Sequence, residues 1–81
     1  MIAITVRNRE GVVYEGQVLS VSGKNEVGKF DILPIHENFI SLLSGDLNIK
    51  ESDGRLTSIP VGEGVLKAMA NRVEVFLGIK K

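Results

Sequence analysis

The residues from Gly23 to Lys29 have the types and spacing that could bind a phosphate group. They read GKNEVGK and satisfy the G-x-x-x-x-G-K pattern that begins a phosphate-binding loop. That chemistry also needs a serine or threonine hydroxyl for magnesium and a helix whose N-terminus faces the phosphates. Phe30 stands in the hydroxyl position, and residues 31–34 indicate a strand stopped by proline. We therefore interpret residues 23–29 as a glycine-bounded loop between strands and predict no specific ATP binding.

His36 is the second candidate for chemistry. It is the only histidine of the chain and cysteine is absent, which excludes a two-histidine metal site, thiolate metal sites and disulfides. No serine lies on a sharp strand-to-helix turn of the kind that exposes a nucleophile. A histidine between an apolar residue and Glu37 is more often structural or interfacial. We predict no catalytic residue, metal ligand or cofactor, with an enzyme that uses His36 as the disfavoured alternative.

Gly62-Glu63-Gly64 is a fragment of a dinucleotide-binding fingerprint. It lacks the third glycine, and residues 65–68 lead into another extended segment instead of a helix. We interpret these glycines as positions where two chain segments approach closely.

The elements that must position these residues are strands, because apolar residues recur at every second position in several segments. Asp53-Gly54 gives the strongest hairpin signal, since Asp-Gly tolerates the positive φ of a tight turn. Gly16 is interpreted as a bulge or a break between two strands, and residues 39–43 as one helical turn or a short strand. Turn signals every 8–12 residues or so are typical of an all-β sandwich or barrel. We predict one domain over residues 1–81, a single β-sandwich of two mostly antiparallel sheets.

Composition limits the function. The 81 residues include ten Lys+Arg and ten Asp+Glu, and this zero formal net charge argues against a nucleic-acid binder. No apolar run approaches the length of a membrane span, and the N-terminus lacks the pattern of a signal peptide. Membrane association is therefore expected only through a partner.

Four segments, in this order and with this spacing, resemble a known family. They are GVVYEGQVLSVSG (11–23), GKFDILPIH (28–36), SGDLNI (44–49) and GVLKAMANRVEV (64–75). Together they resemble the N-terminal β-sandwich of the epsilon subunit of F-type ATP synthase, over nearly the whole chain. That family is non-catalytic. The resemblance implies a central-stalk rotor subunit that couples the gamma subunit to the c-ring in proton- or sodium-driven ATP synthesis.

The resemblance also implies where the partners bind. The gamma subunit is expected at Pro34, His36, Phe39 and Leu42. The polar loops of the c-ring are expected at Glu26, Gly28, Lys29, Phe30 and Asp31. The implied location is peripheral to an energy-transducing membrane, on the cytoplasmic face if the source is bacterial. A free-standing small-ligand or regulatory module derived from the same family is the alternative.

This sequence departs from the family pattern in several places. Asp31 and Ile35 replace glycines, and Asn38 replaces a proline. If Asp31 or Ile35 adopted a positive φ, each would carry strain that glycine avoids. Lys29 often has an acidic counterpart in the family. The two C-terminal helices of the family are not present, so we expect the chain to support coupling without inhibiting hydrolysis through a helical arm.

Overall fold

The computed structural model describes residues 1–33 and 38–78 of the chain. Six β-strands account for most of these residues, and the described part contains no helix. The strands are β1 (Ile2–Asn8), β2 (Gly11–Lys24), β3 (Lys29–Ile32), β4 (Phe39–Glu51), β5 (Leu56–Met69) and β6 (Arg72–Leu77). Residues 39–43 begin the long strand β4, so the strand interpretation of that segment is confirmed and the helical turn is wrong.

Hydrogen bonding joins the strands in the order β1-β6-β5-β4-β2-β3, and a further β1–β2 pairing closes the arrangement. Only the β1–β6 pair is parallel among the described strands. β2, β4 and β5 are 13 or 14 residues long, and register shifts interrupt the ladders of all three. Such bulges bend a strand, which allows each long strand to contribute to both layers. The predicted mostly antiparallel β-sandwich is confirmed, with its two layers hydrogen-bonded to each other.

The core lies between the layers and is built from the inward positions of every strand. On β1, for example, Ile2, Ile4 and Val6 are fully buried, and they alternate with positions that face outward. Burial of these side chains is the main favourable contribution to folding. The buried apolar set is Ile2, Ile4, Val6, Val18, Val21, Ile32, Leu43, Leu47, Ile49, Val61, Leu66, Ala68, Val73 and Val75.

The turns follow the sequence signals with one exception. Gly54 has φ of 93°, which confirms the predicted Asp-Gly hairpin turn between β4 and β5. Ala70, in the two-residue turn between β5 and β6, has φ of 50° and is the one non-glycine residue of the described ranges with positive φ. Asp31 therefore has no positive φ and does not carry the strain that such an angle would impose on a non-glycine residue. Ile35 lies outside the described residues.

Glycines also permit close contacts inside the sandwich. A Cβ atom on Gly64 would lie 2.6 Å from the backbone oxygen of Phe76, and Gly62 has φ of 69°. The prediction that Gly62 and Gly64 serve close approach is thus confirmed at Gly64, while Gly62 supplies a special backbone angle. Gly16 pairs with Ile4 within an unbroken β2, so the predicted break or bulge at Gly16 is wrong.

Candidate partner-binding surfaces

The β2–β3 hairpin ends in a tight, well-bonded loop. The backbone N–H groups of Asn25 and Gly28 donate to each other's carbonyl oxygens, at 2.9 and 3.2 Å. The Asn25 Oδ1 atom also accepts from the N–H groups of Val27 and Gly28, at 2.9 and 3.1 Å. The loop therefore holds one shape and presents Val27, which is 92% exposed, at its tip. We call residues 24–29 the β2–β3 tip.

The β2–β3 tip is tied to the start of β4. Asn25 Nδ2 donates to Ser41 Oγ at 3.0 Å, and Ser41 Oγ in turn donates to the backbone oxygen of Leu42. No backbone ladder joins β3 to this part of β4, so the contact is made between the two layers of the sandwich. The contact places the tip beside the first half of β4 at one end of the sandwich.

Two of the predicted partner-binding residues face inward at this end. Phe30 and Phe39 are half-buried, pack against the core and meet edge to face, with ring centroids 5.3 Å apart. Gly23 lies beneath them, since a Cβ there would be 2.8 Å from Leu43 Cδ2 and 2.9 Å from Phe30 Cζ. Both rings are thus engaged in packing within the domain, and their assignment to gamma or the c-ring stays a prediction.

One half of the sandwich is the layer that contains the first half of β4, the second half of β5 and β6. Its outer surface carries a row of apolar side chains. Leu42 on β4 lies opposite Val65 on β5, and Val65 lies opposite Phe76 on β6. Residues directly opposite each other in a ladder point to the same face. The guanidinium of Arg7 on β1 covers the Phe76 ring, with its Cζ 5.9 Å from the ring centroid, in a cation–π contact. We call Leu42, Val65, Phe76 and Ile40, which is next to Leu42 on the same face, the apolar row.

The outer surface of the other half carries a row of polar side chains, beside Leu56 on β5, which is 79% exposed. Asp31 lies opposite Ser22, Ser22 opposite Asn48, and Asn48 opposite Ser58, in a row that crosses β3, β2, β4 and β5. Ser22 Oγ donates to Asp31 Oδ1 at 2.6 Å. We call these four residues the polar row. Asp31, one of the predicted c-ring residues, belongs to it.

The β4–β5 hairpin carries a small charged cluster at the edge of the molecule. Arg55 forms ion pairs with Asp53 (2.8 Å) and Glu51 (3.3 Å), and Thr57 Oγ1 donates to Glu51. The backbone N–H of Arg55 donates to the Asp53 carboxylate and, with the guanidinium, holds the pKa of that carboxyl below its ordinary value. Burial, followed by the Glu51 charge, raises the pKa of Tyr14. This cluster stabilises a turn and shows no arrangement for catalysis.

The phosphate-loop candidate finds no support in the geometry. Residues 23–29 form a hairpin that joins two strands, without the helix that a phosphate-binding loop requires. Within residues 1–33 and 38–78, no three His, Cys, Asp or Glu side chains converge to hold a metal ion. The same residues contain no helix of the length and apolarity needed to cross a membrane. His36 lies outside the described residues.

The predicted binding residues therefore divide into three groups. Glu26, Gly28 and Lys29 lie together in the β2–β3 tip, beside Phe30 and Asp31 on β3. Leu42 belongs to the apolar row, whereas Phe39 points into the sandwich. Pro34 and His36 lie outside the described residues. The prediction did not include Ile40, Val65 and Phe76 of the apolar row, or Arg7, whose guanidinium covers Phe76. Alternation along 39–43 could have placed Ile40 beside Leu42, but the cross-strand neighbours required the register.

The described residues thus form a closed β-sandwich whose exposed surfaces include the apolar row and the β2–β3 tip. The family model for the β-sandwich domain of the ATP synthase Delta/Epsilon chain matches residues 1–78. The chain therefore belongs to this family, as the sequence resemblance predicted.

Curated relatives agree with this membership. The chain is 36% identical over 64 residues to the ATP synthase epsilon chain of Nitratiruptor sp. and 30% identical over 77 residues to that of Sulfurimonas denitrificans. These alignments cover 78% and 94% of this chain, but 50% and 59% of the relatives. The chain thus spans between one half and three fifths of their length.

Solved structures show the same fold. A chain in the cryo-EM structure of the Euglena gracilis mitochondrial ATP synthase (OSCP/F1/c-ring) superimposes with a TM-score of 0.87 at 16% identity, over 94% of this chain and 49% of that one. A chain from the central stalk/c-ring structure of the Tetrahymena thermophila enzyme gives 0.75 at 15% identity, over 96% and 63%. At these identities the likeness concerns the fold.

Proposed function

We propose that the chain is the β-sandwich part of a non-catalytic rotor subunit, which holds the gamma subunit on the c-ring of an F-type ATP synthase. The observation that carries the proposal is the family match over residues 1–78. The names of the curated relatives support it. In this role the domain lies at the membrane surface through its complex, on the cytoplasmic side in a bacterium.

The apolar row and the β2–β3 tip have different chemistry, which supports an assignment to two partners. The apolar row offers the surface that a stable contact with gamma requires, because large apolar side chains dominate the affinity of such contacts. Ile40 and Leu42 are 69% and 66% exposed, so folding of the domain buries neither side chain. The β2–β3 tip, with Glu26 and Lys29 flanking Val27, suits the polar loops of the ring.

Binding to the gamma subunit of the same organism tests this function. The two proteins, co-expressed and separated by size exclusion, should elute as one complex of equal stoichiometry. A matched test with detergent-solubilised c-ring should show binding that weakens when Glu26 and Lys29 are both replaced by alanine. Separate elution of the chain from gamma, with each protein folded, would overturn the proposal.

A further inference from the structure

We propose that the open edge of β4, from Ile40 to Ser44, binds an extended strand of the stalk partner, which joins the sandwich by backbone hydrogen bonds. The proposal rests on the proposed function and specifies how the partner is bound. It depends on which strand edges are open, which backbone groups face them, and what side chains flank them.

β4 is hydrogen-bonded on both sides over only part of its length. β5 pairs with it from Phe39 to Lys50, but β2 pairs with it only from Asn48 to Glu51. Over residues 39–47, the side of β4 away from β5 therefore has no neighbouring strand among the described residues. An edge of this kind presents a row of unpaired N–H and C=O groups, which is a template for another strand.

The register identifies which backbone groups face this edge. The Gly78 N–H donates to the carbonyl of Glu63, so the backbone groups of Glu63 point toward the β6 side of β5. Groups alternate in direction along an antiparallel strand, so those of Gly64 point toward β4. Its partner there is Leu43, whose groups consequently point toward β5.

By the same alternation, the backbone groups of Ile40, Leu42 and Ser44 point to the open edge. Ile40 and Leu42 also place their exposed side chains on the outer face next to it. Residues 39–45 read FISLLSG and carry no charge and no proline. Nothing in this segment opposes the addition of a strand.

Another open edge shows the features that discourage pairing. The Glu51 N–H donates to the Arg55 carbonyl, so the groups of Leu56, Ser58 and Pro60 point away from β4. No described strand pairs with that side of β5 between residues 56 and 62. Pro60 lacks the N–H that an added strand would need there, and proline at an edge is a recurrent protection against association.

The short strand β3 is protected by charge. Since Asn25 and Gly28 bond to each other, alternation directs the groups of Lys29 and Asp31 to the outer edge of β3. Charged residues on a strand of four residues are a second recurrent protection. Unlike these two edges, the β4 edge from Ile40 to Ser44 has open backbone groups and neither a charged residue nor a proline.

The occupant that fits is an extended, uncharged segment with an apolar side chain at alternate positions. A charged residue opposite Leu42 would face the apolar pair Leu42 and Val65, would find no counter-charge on residues 39–45 and would lose water on binding. The family match places the chain among subunits of a multi-protein assembly, so the strand is assigned to another protein and not to a second copy.

The chain supplies its own matched controls for a test. Ser44→Pro removes an N–H at the β4 edge, and Ser58→Pro removes one at the β5 edge; both serines are exposed. Leu42→Lys and Leu56→Lys form a second pair, with wild-type side chains that are 66% and 79% exposed. Affinity for the gamma subunit is measured by biolayer interferometry. The β4 variants should bind about tenfold more weakly or worse, and the β5 variants within about twofold of wild type.

Amide hydrogen exchange in the complex distinguishes an added strand from side-chain contact alone. The amides of Ile40, Leu42 and Ser44 should become protected on binding, while those of Leu56 and Ser58 should not. Wild-type binding with no such protection, or equal affinities within both pairs, would overturn the strand addition and leave the proposed function standing. Absence of any wild-type binding would overturn both. Sedimentation of the chain alone showing a dimer that Ser44→Pro abolishes would assign the edge to a second copy and also overturn the proposal.

Discussion

The apolar row and the polar row occupy the outer surfaces of opposite halves of one sandwich, and they are built by the same strands. β4 supplies Leu42 to the first and Asn48 to the second, and β5 supplies Val65 and Ser58. The inward residues of both halves are apolar, so the core does not distinguish them. The difference lies only in the outward positions, which folding leaves free. We therefore expect the apolar row to serve a contact outside the domain, because folding leaves Ile40 and Leu42 exposed.

The largest expected effect separates inward from outward leucines on β4. Leu47 is fully buried and Leu42 is exposed, so Leu47→Ala should lower the free energy of unfolding by about 3 kcal/mol and Leu42→Ala by less than about 0.5 kcal/mol. Urea titration followed by circular dichroism measures both. A similar loss at the two positions would mean that Leu42 stabilises the fold, and the comparison would fail.

Phe39 and Leu42 sharpen the comparison, because the sequence assigned both to gamma. Phe39 packs on Phe30 and the core, so Phe39→Ala should cost about 2 kcal/mol of stability. Leu42→Ala should instead weaken gamma binding with little change in the urea midpoint. If Phe39→Ala left the midpoint unchanged and reduced affinity alone, Phe39 would be an interface anchor as the sequence resemblance implied.

The close approach beneath the apolar row gives the next effect. A Cβ on Gly64 would lie 2.6 Å from a backbone oxygen, whereas one on Gly16 would meet nothing within 4 Å. Gly64→Ala should therefore lower stability by about 2 kcal/mol, and Gly16→Ala should change it by less than about 0.5 kcal/mol. Thermal melts of the two variants provide the measurement. Equal melting temperatures would show that β5 and β6 separate easily at this point.

The β4–β5 turn and the β5–β6 turn each contain a residue with positive φ, Gly54 in the first and Ala70 in the second. Gly54 meets the requirement without strain, so Gly54→Val should destabilise by about 1–2 kcal/mol. Ala70 meets it with a side chain, so Ala70→Gly should stabilise by about 1 kcal/mol. The urea midpoint should fall for Gly54→Val and rise for Ala70→Gly. A loss of stability in both variants would contradict the positive φ of Ala70.

The smallest effect concerns pH at the β4–β5 hairpin. The pKa of Asp53 is lowered in the folded state by the Arg55 N–H and guanidinium. Its charged form therefore stabilises the fold above the ordinary pKa of 3.8, and this contribution is lost as pH falls through the lowered value. Asp53→Asn should melt slightly below wild type at pH 7, and the gap should narrow as pH falls below 3.8. A gap that is unchanged at pH 3 would argue against this linkage.

Much of the fold could be predicted because short-range patterns dictate it. Alternation at Ile2, Ile4 and Val6 identified β1, and Asp53-Gly54 fixed a hairpin. The closure of the sheet and the parallel pairing of β1 with β6 depend on contacts distant in sequence, and no local pattern reports them. The prediction at Gly16 was wrong because glycine occurs both at bulges and at ordinary strand positions without close neighbours.

Which residues share a candidate surface could be predicted only in part, for a physical reason. Sequence alternation tells which residues share a face of one strand, but not which strand lies beside it. Leu42 was identified, whereas Val65 and Phe76 joined it only through the register of three strands. The resemblance assigned Phe39 to gamma, and its packing on the core could not be predicted because an aromatic residue in a short apolar run has no signature that separates core from interface.

The parallel pairing of β1 with β6 has a consequence for synthesis of the protein. Ala3 is opposite Arg72, and Val6 is opposite Val75. β1 therefore obtains its second neighbouring strand only from β6, the last of the described strands. Contacts this distant in sequence slow folding, since the intervening chain must be ordered before they form. On the ribosome, β1 and β2 can form a hairpin early, but the ring cannot close until Leu77 has emerged. Until then β1 has one exposed edge, and unpaired strand edges of partly folded chains are prone to aggregation.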